Sequence, residues 1–306
     1  MLEVRELSRS FGSVRALDRV SFAVKPGRLT GFVGANGAGK TTAMRIIMGV
    51  LRADSGSVFY QGKAVDRGID ATFGYMPEER GLYPKMALRE QLIFFAQLHG
   101  LTMAASSQNA DRLVERLGLT ARTKELVEKL SLGNQQRAQI AAALVHDPAV
   151  LILDEPFSGL DPLAVDTVMG VLQEFAAQGA PILFSSHQLD VVERVTDDLV
   201  IIGGGEIKAA GATAALQNRF AGSRYRLDLP AGAASAWIEN VGGVTGVSVT
   251  PGRAGDGDTA SGVTVVFDAA AEVAQAVLRQ ALAVGPVEAF KRVIPPLSEV
   301  FKEVVA

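Results

Sequence analysis

Apolar and polar residues alternate at the start of the chain, over Leu2 to Leu7 and again over Val20 to Val24, with the period of half-buried strands. A Pro26-Gly27 turn leads into Leu29-Thr30-Gly31-Phe32-Val33, which predicts a strand, and Thr42 to Met48 predicts a helix ending near Gly49. Gly56 to Gly62 predicts another hairpin strand. From Leu88 to about Leu144 the spacing turns helical, with Leu92, Phe95, Leu98, Leu113, Val114 and Leu117 at the apolar positions. Strands return with Val150-Leu151-Ile152-Leu153, four consecutive apolar residues of the kind found in a parallel strand covered on both faces, and with Pro181 to Phe184. The pattern predicts an α/β core with an antiparallel β subdomain and a helical insertion over about residues 80–146.

Beyond residue 220 the composition shifts toward alanine, glycine and valine. Tyr225 to Leu229, Val247 to Val249 and Gly262 to Phe267 predict strands, the stretch Pro251 to Ser261 is rich in turn formers, and Ala270 to Ala283 predicts a helix. A large domain over residues 1–220 and a small α+β accessory domain over 221–306 follow, a division that suits a chain of 306 residues.

Mean hydropathy is positive at +0.22, yet the pattern contains no spanning segment. The most apolar stretch, Ile140 to Val145 and on through Val150 to Leu153, is broken by His146, Asp147 and Pro148. The opening residues Met1 to Leu7 are acidic and alternating, unlike a signal peptide. A soluble chain that stays in the cytoplasm is expected. A net charge of -3 brings no basic excess, so no nucleic-acid partner is expected. The absence of cysteine excludes disulfides and thiolate metal sites.

Chemistry enters between the strand at Leu29 and the helix at Thr42. Gly34-Ala35-Asn36-Gly37-Ala38-Gly39-Lys40-Thr41 has the form G-x-x-x-x-G-K-[ST], in the strand-to-helix setting that a phosphate-binding loop requires. Its glycines let backbone N–H groups turn inward at the helix N-terminus, where anions are favoured. Asn36, Gly37, Ala38, Gly39, Lys40, Thr41 and Thr42 are the candidate nucleotide contacts. Lys40 is placed to reach the β- and γ-phosphates, and Thr41 to hold magnesium. Asp154 and Glu155 end the strand Val150 to Leu153, at the ligand crevice of a parallel sheet. There Asp154 is a candidate magnesium ligand and Glu155 a candidate base for the attacking water.

With these residues, Leu130-Ser131-Leu132-Gly133-Asn134-Gln135-Gln136-Arg137 resembles the signature segment of the ATP-binding subunit of ABC transporters. Pro156-Phe157-Ser158-Gly159-Leu160-Asp161-Pro162 is similar to that family's D-loop, and Ser185-Ser186-His187 to the strand end carrying its switch histidine. The resemblance covers about residues 1–220 and implies an ATPase using ATP and Mg2+. It further implies a head-to-tail pair, as a homodimer or with another ATP-binding subunit. In that pair Ser131 and Gly133 of one chain close over the nucleotide of the other, and Asp161 of the D-loop-like segment is a further implied nucleotide contact. His187 is implied to link Glu155 to the γ-phosphate, and Phe11 either stacks on adenine or anchors the core. A transmembrane permease is the implied partner, seated near Arg80 to Leu98, where Leu82, Tyr83, Ile93, Phe94 and Phe95 serve the contact or fill the core.

This chain departs from the family at two places. Glu78 stands where many members have a glutamine; a carboxylate ligates magnesium or accepts a hydrogen bond but donates none. Leu132 and Asn134 replace a glycine and a glutamine of the signature. Together with Pro77 to Pro84, these features resemble an exporter-type subgroup that includes sodium-extruding and drug-efflux ATPases. Pro296 to Phe301 is similar to a C-terminal extension in that subgroup, and dimer contact or regulation is the expected role of the accessory domain over 221–306. Two other readings remain open: a soluble ABC ATPase acting on ribosomes or DNA, and an importer ATPase whose tail regulates it.

Overall fold

The computed structural model describes residues 1–65, 72–79, 81–251 and 262–305. Arg80 and nearly all of the turn-rich stretch after Pro251 lie outside them. Two compact units divide the chain: Met1–Ala214 with Phe301–Ala306, and Ala215–Val300.

In the first unit, β1 (Leu2–Phe11), β2 (Val14–Val24), β4 (Ser55–Tyr60) and β5 (Lys63–Ala64) form an antiparallel sheet in the order β2-β1-β4-β5. Both opening strands run longer than their alternation suggested. Bulges at Val4/Leu7 and Leu7/Arg9 let pairing continue after the simple period is lost, with Phe11 opposite Val14 at the hairpin.

The second sheet combines β3 (Leu29–Val33), β6 (Phe73–Met76), β7 (Val150–Leu153), β8 (Ile182–Ser186), β9 (Asp198–Gly203) and β10 (Glu206–Ala212), in the order β10-β9-β3-β8-β7-β6. The pairs β9-β3, β3-β8, β8-β7 and β7-β6 are parallel, and β10 closes the edge antiparallel. Every residue of β3, β7, β8 and β9 is buried, as strands covered on both faces require, and β7 is apolar throughout. Phe32, Ile152, Leu183 and Val200 join this sheet to Leu2, Leu17 and Val24 of the antiparallel sheet in one core.

The helices α1 (Lys40–Ile47), α2 (Leu88–Leu98), α3 (Met103–Arg116), α4 (Leu132–Leu144), α5 (Pro162–Ala177) and α6 (Leu189–Val195) link these strands. α2, α3 and α4 stand between β6 and β7, where helical spacing was read. Leu92, Leu113, Val114 and Leu117 are buried there, but Leu98 is 64 % exposed. It sits at the end of α2, where the apolar stripe has already turned toward solvent.

α7 (Thr213–Phe220) spans the division between the units, which therefore falls slightly before the expected boundary at 220/221. In the second unit β11 (Arg224–Leu229), β12 (Thr245–Pro251), β13 (Val263–Asp268) and β14 (Ala289–Arg292) make an antiparallel sheet in the order β12-β13-β11-β14. α8 (Ala271–Val284) supplies Ala274, Val277 and Ala281 to a core with Leu227, Leu229, Val265 and Phe267. α9 (Leu297–Val305) ends the described chain. No described helix is long and apolar enough to cross a membrane.

Candidate functional site

The carboxyl ends of β3, β7 and β8 open at one edge of the parallel sheet and deliver Gly34, Asp154 and His187 to the same place. After β3 the chain must turn tightly beneath its neighbours. A Cβ on Gly34 would lie 2.5 Å from the Ile202 carbonyl oxygen. At Gly39, with φ +107°, it would lie 2.5 Å from that of Ala16. Glycine is therefore the residue these two positions accept, and α1 starts directly from the cradle they form.

Lys40 is buried and donates to the carbonyl oxygens of Gly34 (2.7 Å) and Ala35 (3.3 Å), so its ammonium stands inside the loop. The Thr41 hydroxyl donates to Asp154 Oδ2 at 2.9 Å. On the other side of that carboxylate, the Ser185 hydroxyl donates to Oδ1 at 2.5 Å, while the Ser185 oxygen accepts the Glu155 N–H at 2.8 Å. One serine on β8 thus fixes both acids at the end of β7. Glu155 adopts φ +52°, an uncommon conformation for a side-chain-bearing residue, and Gln136 of α4 secures it by donating to the Glu155 and Pro156 carbonyls at 2.9 and 3.1 Å. Glu155 is 8 % exposed, and its Oε2 lies 2.9 Å from Nδ1 of the more exposed His187.

A cleft of 260 Å³ is lined by Asn36, Gly37, Gly39, Lys40, Thr41, Thr42, Glu78, Asp154 and Glu155, together with Ala16. Nine candidates from the sequence meet in it. Ala38 is buried beside it, tied to Ala35 and Gly205 through the backbone. Phe11 is not among the lining residues; it is 48 % exposed at the end of β1, with the Arg9 guanidinium 4.9 Å from its ring centroid. Ser131 caps α4 by accepting the Asn134 N–H, Gly133 follows in the first turn, and Leu132 is 63 % exposed. Asp161 caps α5 by accepting the Ala164 N–H at 2.8 Å. Ser131, Gly133 and Asp161 thus lie outside the cleft, at helix N-termini whose partial positive charge favours an anion.

Hydroxyl and carboxylate oxygens suit magnesium, a hard cation that takes few protein ligands and completes its shell with phosphates and water. Thr41 and Asp154 provide that set. Among the described residues no cluster of three or more His, Cys, Asp or Glu forms a self-sufficient metal cage. Two contributors escaped sequence reasoning: Ser185 and Gln136 are ordinary polar residues whose roles depend on contacts 30 and 19 positions away. Their only signal was position, at the end of a strand and inside the signature segment.

A family model described as ABC transporter matches residues 17–158, and one described as ATP-binding protein DrrA1-3-like, C-terminal domain, matches residues 211–305. The chain is 39 % identical over 220 residues to the uncharacterized ABC transporter ATP-binding protein YhaQ of Bacillus subtilis, covering 72 % of this chain and 74 % of that protein. The chain belongs to the ATP-binding subunits of ABC transporters. As such the ABC subunit is an ATPase. It is also 35 % identical over 218 residues to the Nod factor export ATP-binding protein I of Paraburkholderia xenovorans, covering 70 % of the ABC subunit and 72 % of that protein. A solved ATP-binding subunit of an ABC transporter superposes with a TM-score of 0.67 at 33 % identity, covering 72 % of the ABC subunit and 93 % of that chain.

A second concavity of the first unit lies between β6 and the helical segment. It measures 230 Å³ and is bordered by Tyr75, Pro77, Gly81, Leu82, Phe95, His99, Gln139, Ala142 and Ala143. The Tyr75 hydroxyl is pushed above its usual pKa by burial and by the negative charge of Asp154, so this groove and the nucleotide cleft share an electrostatic neighbour. Tyr83 stacks on Phe95 and meets Phe94 edge-on beside it, with Tyr83 itself 51 % exposed.

Proposed function

We propose that the ABC subunit powers export through a separate membrane permease, and that it works as one half of a head-to-tail pair. The observation that carries this reading is the run of contacts from Thr41 through Asp154 and Ser185 to Glu155 and His187, which assembles binding and hydrolysis groups on one edge of the sheet. Lys40 and the loop N–H groups hold the ATP phosphates. Thr41 and Asp154 would hold magnesium, with Glu78 as a further oxygen ligand, and a bound magnesium would supply charge neutralisation at the ATP phosphates.

Glu155 takes a proton from the attacking water, and the His187 ring, 2.9 Å from that carboxylate, bridges it to the γ-phosphate. Asn36, Gly37, Ala38, Gly39 and Thr42 complete the cradle, and Phe11 offers its open face to the adenine ring. Ser131 and Gly133, which do not line the chain's own cleft, close over the partner's nucleotide, and Asp161 is a further nucleotide contact. The exposed Leu132 leaves the Gly133 backbone free to approach.

The permease docks in the groove beside Tyr83 and Phe95 and holds the subunit at the cytoplasmic face of the membrane. Relatedness to a protein named for Nod factor export supports export over import. Purification from membranes tests the reading: a multi-helix subunit should accompany the chain, and inside-out vesicles should accumulate substrate on ATP addition. Recovery with ribosomes or DNA, or movement in the opposite direction, would replace it with one of the two alternatives.

A further inference from the structure

One polar group beneath the helical segment is explained neither by the fold nor by the nucleotide site. Gln139 of α4 is 4 % exposed. Its amide orientation is fixed by two acceptors, since Nε2 lies 2.7 Å from the Pro77 carbonyl oxygen and 3.2 Å from that of Glu79. The remaining oxygen, Oε1, is closed to water and has no hydrogen-bond partner among the described residues. A buried carbonyl in that state bears its desolvation penalty uncompensated.

Gln139 also stands between two sites. The carbonyls it grips flank Glu78, whose side chain lines the nucleotide cleft, while Gln139 itself borders the apolar groove. We propose that Gln139 is a positioning residue that converts occupancy of the groove into movement of Glu78. This rests on the permease docking proposed above. The docking segment presents an apolar face to Leu82, Phe95, Ala142 and Ala143, and on that face a side-chain N–H donor, such as that of Arg, Asn or Gln, bonds to Oε1. To reach an oxygen that water does not reach, the donor must part α4 from the chain at Pro77 and Glu79. The displaced segment is the one carrying Glu78.

Two variants separate the halves of the amide. Gln139→Leu removes both the grip and the acceptor, whereas Gln139→Glu keeps oxygen acceptors but repels the Pro77 and Glu79 carbonyls. The readouts are affinity for the co-purifying permease and the ratio of permease-stimulated to basal ATPase in reconstituted vesicles. Gln139→Leu should weaken the affinity about tenfold, the equivalent of one hydrogen bond, and abolish stimulation. Gln139→Glu should hold its affinity and still lose stimulation.

Parent-like stimulation in both variants overturns the proposal. So does an equal loss of affinity in both, which marks a merely structural role. Should Gln139→Leu not fold, Gln139→Glu decides alone: retained affinity without stimulation supports the proposal, and retained stimulation overturns it. If Arg80→Ala reproduces both losses of Gln139→Leu, the donor is the chain's own and the proposal falls. Failure of the unaltered chain to bind any permease removes the docking reading first and this inference with it.

Discussion

Glu155 Oε2 and His187 Nδ1 stand 2.9 Å apart, the carboxylate 8 % exposed and the imidazole open to solvent. Replacing Glu155 by Gln preserves shape and removes the proton acceptor. Phosphate release should fall about 10²–10⁴-fold while equilibrium ATP binding persists. Lys40→Ala should act in the opposite sense, weakening ATP affinity about 10–100-fold through loss of a charged donor. Measuring binding and turnover on both variants checks the division of labour, and near-parent turnover in Glu155→Gln would remove Glu155 from its role.

Ser185 ties the two acids together, so its loss should be felt twice. Ser185→Ala leaves the Glu155 N–H and one Asp154 oxygen without their partner in a buried setting. Stability should drop by about 1–3 kcal/mol, measured as a lower urea midpoint. Turnover should drop as well, and ATP binding much less.

The phosphate loop offers an internal control. A Cβ at Gly39 meets the Ala16 carbonyl oxygen at 2.5 Å, whereas a Cβ at Gly37 meets nothing within 4 Å. Both residues have positive φ, +107° and +77°. Gly37→Ala should therefore cost only the left-handed backbone penalty, about 1–2 kcal/mol. Gly39→Ala adds a backbone collision and should cost more. Thermal denaturation of the two variants gives the order.

Acid should loosen the fold through His146. Burial and the neighbouring His99, whose ring stacks on it at 3.7 Å, depress the His146 pKa from 6.5 to about 4; the Phe73 carbonyl and Asp147 act weakly the other way. Between those values the unfolded chain takes up a proton that the folded chain refuses. Stability is unaffected above pH 6.5 and falls as pH drops toward 4, by about 2–3 kcal/mol from this group. Urea unfolding at pH 7 and pH 4.5 should show the loss, and His146→Gln should flatten it.

The nucleotide cleft was legible because its residues sit in contiguous runs with a fixed meaning. Gly34 to Thr41 carries its own turn geometry, and Asp154-Glu155 follows four apolar residues that could only be a buried strand. What stayed hidden depends on distant partners. Nothing local distinguishes Ser185 from any strand-end serine, or Gln136 and Gln139 from glutamines on the solvent face of a helix; all three are defined by the backbone they meet across the fold. β1 and β2 were read short for a related reason, since bulges break the alternation while pairing continues. Leu98 fits the apolar spacing of its helix yet is exposed, because periodicity locates a stripe but not the point where a neighbouring surface ends.

α4 joins two of these features on one rod. Ser131 caps its first turn, and Gln136, five residues on and about 7.5 Å along the axis, carries the peptide of Glu155. In a head-to-tail pair, each chain's grip on its neighbour's nucleotide is thus bolted to the bracket of its own base. In the proposed pair, a change of fit at one nucleotide would therefore reach the Glu155 peptide of the other site along a single helix.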